Sequence, residues 1–121
     1  MDLRSIQRLV DRTLYLSERQ ERLVDSPAAS RQPRRSLEEE LLYSQEAVRL
    51  SQAWKEIVAT NPFVDMSVMA LLDSAAAGMR KAIAISQSEE WIGHGPAHAA
   101  LGNLNQAVVG MLESMNTLQQ Q

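Results

Sequence analysis

His94 and His98 stand four residues apart in the stretch EEWIGHGPAHAAL, residues 89 to 101. On a helix, that spacing places two imidazoles one turn apart on one face, which is how a helix offers a metal ion two ligands. The letters around them argue against a metal. Zincin chemistry needs HExxH, whose glutamate acts on the metal-bound water, and here the sequence is HGPAH. A di-metal bundle site needs Glu three residues ahead of each histidine, but Trp91 and Gly95 occupy those positions. Pro96 suits the first turn of a helix, because it lacks the N–H that the turn leaves unpaired. The sequence therefore predicts Gly95 at or near the cap, His94 before the helix and His98 inside it, so that the two share no face. No metal ligand, cofactor-binding residue or catalytic residue is expected.

Other chemistries lack their partners too. Cysteine is absent, which removes disulfides, thiolate metal sites and cysteine nucleophiles. Serines are many, but no G-x-S-x-G elbow accompanies them, and neither GxGxxG nor GxxxxGK[ST] occurs. Glu89 and Glu90 are adjacent acids at a helix end, where solvation is the ordinary fate. The chain reads as a non-enzyme.

What must position any site is helical. Of 121 residues, 45% are apolar but only 4% aromatic, with Leu, Ala, Val, Ile and Met dominant, the palette of packed helices rather than of a twisted sheet. The net charge of −3 is unevenly spread: residues 61 to 121 carry only Arg80, Lys81 and five acids, so the second half has fewer solvated faces. No strongly basic face points to nucleic acid. The uncharged stretch ahead of Glu113 is broken by Gly93, Gly95 and Pro96 and is no transmembrane span, so direct membrane insertion by this chain is not expected.

Four segments carry helical periodicity, at about residues 2–25, 36–60, 65–89 and 96–119. In the first, Ile6, Leu9, Thr13, Leu16, Gln20 and Leu23 recur at alternating steps of three and four. Its polar members, Thr13 and Gln20, lie either at the edge of the seam or in a buried polar layer that sets register. Residues 26–35, with Pro27 and Pro33, read as a mobile linker. Ser36 followed by Glu39 reads as a capping box opening the second helix. Its seam is Tyr43, Ala47, Leu50, Trp54 and Ile57, with Trp54 as core filler, and Asn61-Pro62 ends it. Asp65 can cap the third helix, whose Ala75-Ala76-Ala77-Gly78 centre lets a neighbour approach closely. The last helix has the most regular seam, Leu101, Leu104, Val108, Met111, Met115 and Leu118, beside a row of small residues, Ala100, Asn103, Ala107, Gly110 and Ser114. Two usable faces imply two neighbours. The expected fold is all-α, an up-down-up-down four-helix bundle forming a single helical domain over residues 1–121, with scope for further helix–helix association.

Three stretches carry a family resemblance. In LYLSERQERL, Leu14, Ser17, Gln20, Glu21 and Leu23 resemble an L-x-x-S-x-x-Q-E-x-L run. SLEEELLYSQEAVRLSQAWKEI is similar to the same family's charged helix, and HAALGNLNQAVVGMLESMNTLQQQ to its closing L-N-N-L-type helix, at Leu101, Asn103, Leu104 and Asn105. His98 stands where an aromatic is common, and Gly102 interrupts the usual order. The family is that of large bacterial proteins with membrane helices near the N-terminus and a long extracytoplasmic region, a domain-of-unknown-function family. The resemblance implies a domain excised from a larger envelope protein, tethered on the extracytoplasmic face through an anchor outside this chain; without it, the cytoplasm is the default. It assigns no activity and no site residues.

The function expected is that of a non-catalytic helical interaction or scaffold domain. Its partner is protein, either a second copy or other parts of the parent protein, engaged through the Ala100, Asn103, Ala107, Gly110 face. The alternatives are a small-ligand or metal-binding bundle using Trp54, Trp91, His94 and His98, and a cytosolic adaptor or secretion-chaperone-like domain.

Overall fold

A computed structural model describes residues 3–25, 32–86 and 94–120. Among the described residues, four helices follow one another: α1 Leu3–Asp25, α2 Pro33–Thr60, α3 Ser67–Ile85 and α4 His94–Gln119. Every adjacent pair runs antiparallel, as contacts far apart in sequence show. Gln20 and Arg12 of α1 meet Glu40 and Glu46 of α2. Ser51 and Trp54 of α2 reach Met69 of α3 and Asp65 just ahead of it. Gly78 of α3 lies against Pro96 of α4, and Val68 against Gly110. Ser17 and Thr13 of α1 reach Asn105 and Met111 of α4, which closes the ring. The chain is an all-α, up-down-up-down four-helix bundle, as its periodicity requires.

The helix starts differ from expectation in an instructive way. α2 begins at Pro33 rather than Ser36, because a proline needs no N–H partner in the first turn and its fixed φ is already helical. Ser36 is then no cap: it is buried inside the helix and donates its backbone N–H to Gln32 O at 3.0 Å. Residues 33–35 thus leave the expected linker, whose remaining residues 26–31 lie outside the described residues. α3 starts where Asp65 holds it, with Oδ1 accepting the Ser67 N–H at 2.8 Å and the Ser67 hydroxyl at 2.6 Å. It ends at Ile85, not 89, where the Ser86 N–H turns back to Ile83 O. α4 begins at His94, two residues before Pro96, so Gly95 is helical and not the cap.

The main core runs through all four helices and includes Ile6, Leu50, Trp54, Leu72, Met79, Leu104 and Met111. A smaller cluster of Leu23, Ala82 and Ala97 lies at the end of the bundle where α1 finishes and α2 begins. Thr13 and Gln20 are both fully buried, so the polar members of the α1 seam lie inside the bundle and not at its edge. Trp54 fills the core, and its indole N–H reaches the Asp65 carbonyl at 2.8 Å.

Candidate functional site

The small-residue row of α4 was the face expected to meet a partner. It is instead inside the molecule: Ala100, Ala107 and Gly110 are buried and Asn103 is half-buried. The reason is close approach by α3. The Ala100 Cβ lies 3.4 Å from where a Gly78 Cβ would stand, and a Cβ on Gly110 would meet Val68 Cγ2 at 2.7 Å. Small residues here serve intramolecular packing, and α3 has taken the face. Only Asn103 remains accessible, at the edge of a shallow depression of about 420 Å³ that Gly78, Lys81 and Pro96 also line.

The histidines also depart from expectation. Because α4 starts early, His94 and His98 lie in one helix a single turn apart, and both are exposed. They do share a face. Among the described residues, no group of three or more His, Asp or Glu side chains is placed to hold a metal ion, so the pair gains no third ligand from a neighbouring helix. Trp91, the other member of that alternative site, lies outside the described residues, and Trp54 is buried elsewhere.

The seam between α1 and α2 is where the side chains most able to recognise something converge. These two helices associate least closely of the neighbouring pairs. The gap leaves an open groove of about 470 Å³, with Asp11, Arg12, Tyr15, Leu16 and Arg19 contributed by α1 and Tyr43 and Glu46 by α2. On α1, Arg12, Tyr15, Leu16 and Arg19 recur at steps of three, one and three, so one strip of helix surface carries them. Arg12 uses Nε and Nη2 to hold Glu46 Oε1 at 3.1 and 2.7 Å, clamping the middle of the seam. Arg49 approaches the other Glu46 oxygen at 3.7 Å.

Arg19 lies over the Tyr15 ring, 5.3 Å from its centroid. The same guanidinium interacts electrostatically with Tyr43 across the seam. Burial pushes the Tyr43 phenol above its ordinary pKa, Glu39 adds to that, and Arg19 opposes it. Tyr15 itself is 61% exposed. The groove therefore presents an aromatic ring with a guanidinium over it.

Behind the groove, one turn along α2 from Tyr43, Glu40 is completely buried. Gln20 Nε2 of α1 donates to Glu40 Oε2 at 2.9 Å and to the Ala97 carbonyl of α4 at 3.0 Å, so three helices meet at this pair. Burial raises the Glu40 pKa to about 7, and the Gln20 hydrogen bond only partly opposes that.

Glu40 is the residue that sequence reasoning passed over. Of the acids at 38–40, the capping box with Ser36 gives a role to Glu39 alone. The signal was in the seam: running Tyr43, Ala47, Leu50, Trp54 and Ile57 backwards at the same steps of three and four lands on Glu40 and then Ser36. Both are buried.

No family model, no curated protein and no solved structure matches the chain.

Proposed function

We propose that the chain is a non-catalytic interaction domain that docks an amphipathic protein segment along the α1–α2 seam, as part of a larger bacterial envelope protein. The observation that carries this reading is the groove itself, where Tyr15, Arg19 and Tyr43 meet around Leu16. Tyrosine and arginine are the side chains that anchor protein interfaces, since each offers a large rigid contact together with a polar end. Exposed Leu42, the residue before Tyr43, adds apolar surface on the same helix. The occupant that suits this chemistry is a helix or extended segment with a carboxylate for Arg19 beside an apolar side chain for Tyr15. The parent protein is the favoured source of that segment, and this choice, like the envelope placement, draws on the family resemblance.

A photo-crosslinking residue at position 15 of the full-length protein, with position 106 on the exposed side of α4 as control, tests the docking. Cross-links from position 15 that map to one segment of the parent chain are expected. Equal labelling from both positions, or none from position 15, refutes the groove as a docking site. Sedimentation over a range of concentrations separates a second copy from a segment of the same chain. Protease protection in intact cells and spheroplasts tests the envelope placement.

A further inference from the structure

Buried acceptors normally find donors, and the Gln20–Glu40 pair departs from that rule at two atoms. Gln20 uses its amide nitrogen on Glu40 Oε2 and on the Ala97 carbonyl. Gln20 Oε1 and Glu40 Oε1 are then buried without a hydrogen-bond partner among the described residues. An ionised glutamate has only acceptors to offer and can satisfy neither. A neutral one can satisfy both. It accepts the amide N–H on one oxygen, donates its O–H from the other, and the carboxamide oxygen of its own partner is an acceptor in want of a donor.

We propose that Glu40 and Gln20 form a proton-linked latch: with Glu40 neutral, acid and amide pair mutually and fasten α1 to α2, and ionisation of Glu40 releases that end of the seam.

The surroundings favour a neutral carboxyl. On α1, the neighbouring charge is Arg19, already engaged with Tyr15 and Tyr43. On α2, the adjacent groups are Glu39, held by Arg35 at 3.0 Å, and Tyr43, whose phenol is pushed up by burial and then by Glu39. α4 contributes the Ala97 carbonyl, an acceptor, while its His94 and His98 are exposed. α3 brings Ala82 to the same end, while its Arg80 and Lys81 are exposed. Burial is the largest influence on Glu40, and it acts against charge. The α1–α2 pair, the least closely packed of the neighbouring helices, is also the one the latch fastens. The inference concerns the chain itself and stands whether or not anything docks in the groove.

The test follows the Glu40 side-chain carboxyl by carbon NMR in the full chain from about pH 4 to about pH 9, with amide exchange of residues 16–24 and 36–44 alongside. The carboxyl is expected to titrate at least about one unit above the ordinary glutamate value of about 4.3. Exchange in those two segments, corrected for its intrinsic pH dependence, should rise about tenfold or more through that midpoint, while the Trp54–Asp65 end stays unchanged. Glu40→Gln places an amide where the neutral acid was and should abolish the rise. An ordinary midpoint, or an undiminished rise in Glu40→Gln, overturns the proposal. If Glu40→Gln does not fold, Gln20→Leu decides: with the mutual pair gone, amide exchange in residues 16–24 and 36–44 should be raised about tenfold already at about pH 5, where Glu40 is neutral, and exchange unchanged from the parent there overturns the pairing.

Discussion

Gly110 of α4 lies so close to Val68 of α3 that a Cβ on the glycine would stand 2.7 Å from Val68 Cγ2 and 3.1 Å from Asp65 Oδ2. Val68 is fully buried and β-branched, so its side chain has little freedom to move aside. Gly110→Ala gains about 1 kcal/mol of helix propensity but incurs an overpacking cost of roughly 1–3 kcal/mol. Net destabilisation of about 1 kcal/mol is expected. Gly102 is the control: nothing lies within 4 Å of its Cβ position, so Gly102→Ala should stabilise by roughly 0.5–1 kcal/mol. Urea denaturation of both variants measures the contrast.

Leu104 and Leu112 are two turns apart on α4, yet one is fully buried and the other 47% exposed. Leu104→Asp puts a carboxylate into the main core and is expected to cost more than about 4 kcal/mol, enough to unfold the domain. Leu112→Asp should stay within about 0.5 kcal/mol of the parent. Circular dichroism melts distinguish the two outcomes.

The Trp54 indole N–H holds the Asp65 carbonyl at 2.8 Å, and the Asp65 N–H in turn donates to the Ser114 hydroxyl at 2.9 Å. This chain of bonds fixes the α2–α3 turn against α4. Trp54→Phe removes the first bond and part of the core volume, so a loss of roughly 2–4 kcal/mol is expected by denaturant titration. Ser114→Ala, which removes the second acceptor together with the bond its hydroxyl donates to the Gly110 carbonyl at 2.9 Å, should cost about 1–2 kcal/mol.

Stability should also fall with rising pH. The folded-state pKa of Glu40 is raised from 4.5 to about 7, so the folded chain holds more protons than the unfolded chain between those values. The contribution of the neutral carboxyl is complete below the unfolded value, is lost as pH rises towards about 7, and changes no further beyond it. The shift corresponds to a loss of about 3 kcal/mol. Denaturation at about pH 5 and about pH 8 should show most of that difference in the parent chain and little of it in Glu40→Gln.

Several features of this molecule were legible in the letters. Steps of three and four in Ile6, Leu9, Thr13, Leu16, Gln20 and Leu23 determine which face of α1 is buried, because a helix repeats every 3.6 residues whatever it packs against. The same holds for Leu101, Leu104, Val108 and Met111 of α4, all buried as their spacing requires. Short connections then force successive helices to run antiparallel. Asp65 was readable as lying at the start of α3, and its carboxylate accepts the Ser67 N–H there, although Met66 stands between it and the first helical residue.

Packing decided the rest. Whether Ala100, Ala107 and Gly110 face a partner or a neighbouring helix depends on how near α3 comes, and spacing along α4 carries no information about that distance. Periodicity made Glu40 a seam position, but only the meeting of α1, α2 and α4 surrounds it, pairs it with Gln20 and makes its charge costly. His94 and His98 came onto one face through two extra residues at the start of α4, because helix ends near a glycine and a proline are the part of a helix that local preference specifies least. The sequence by itself determined the helices, their buried faces and their order; the tertiary structure decided which pair lies loosest and where a carboxyl is cut off from water, since both depend on distances between helices and not on positions along one.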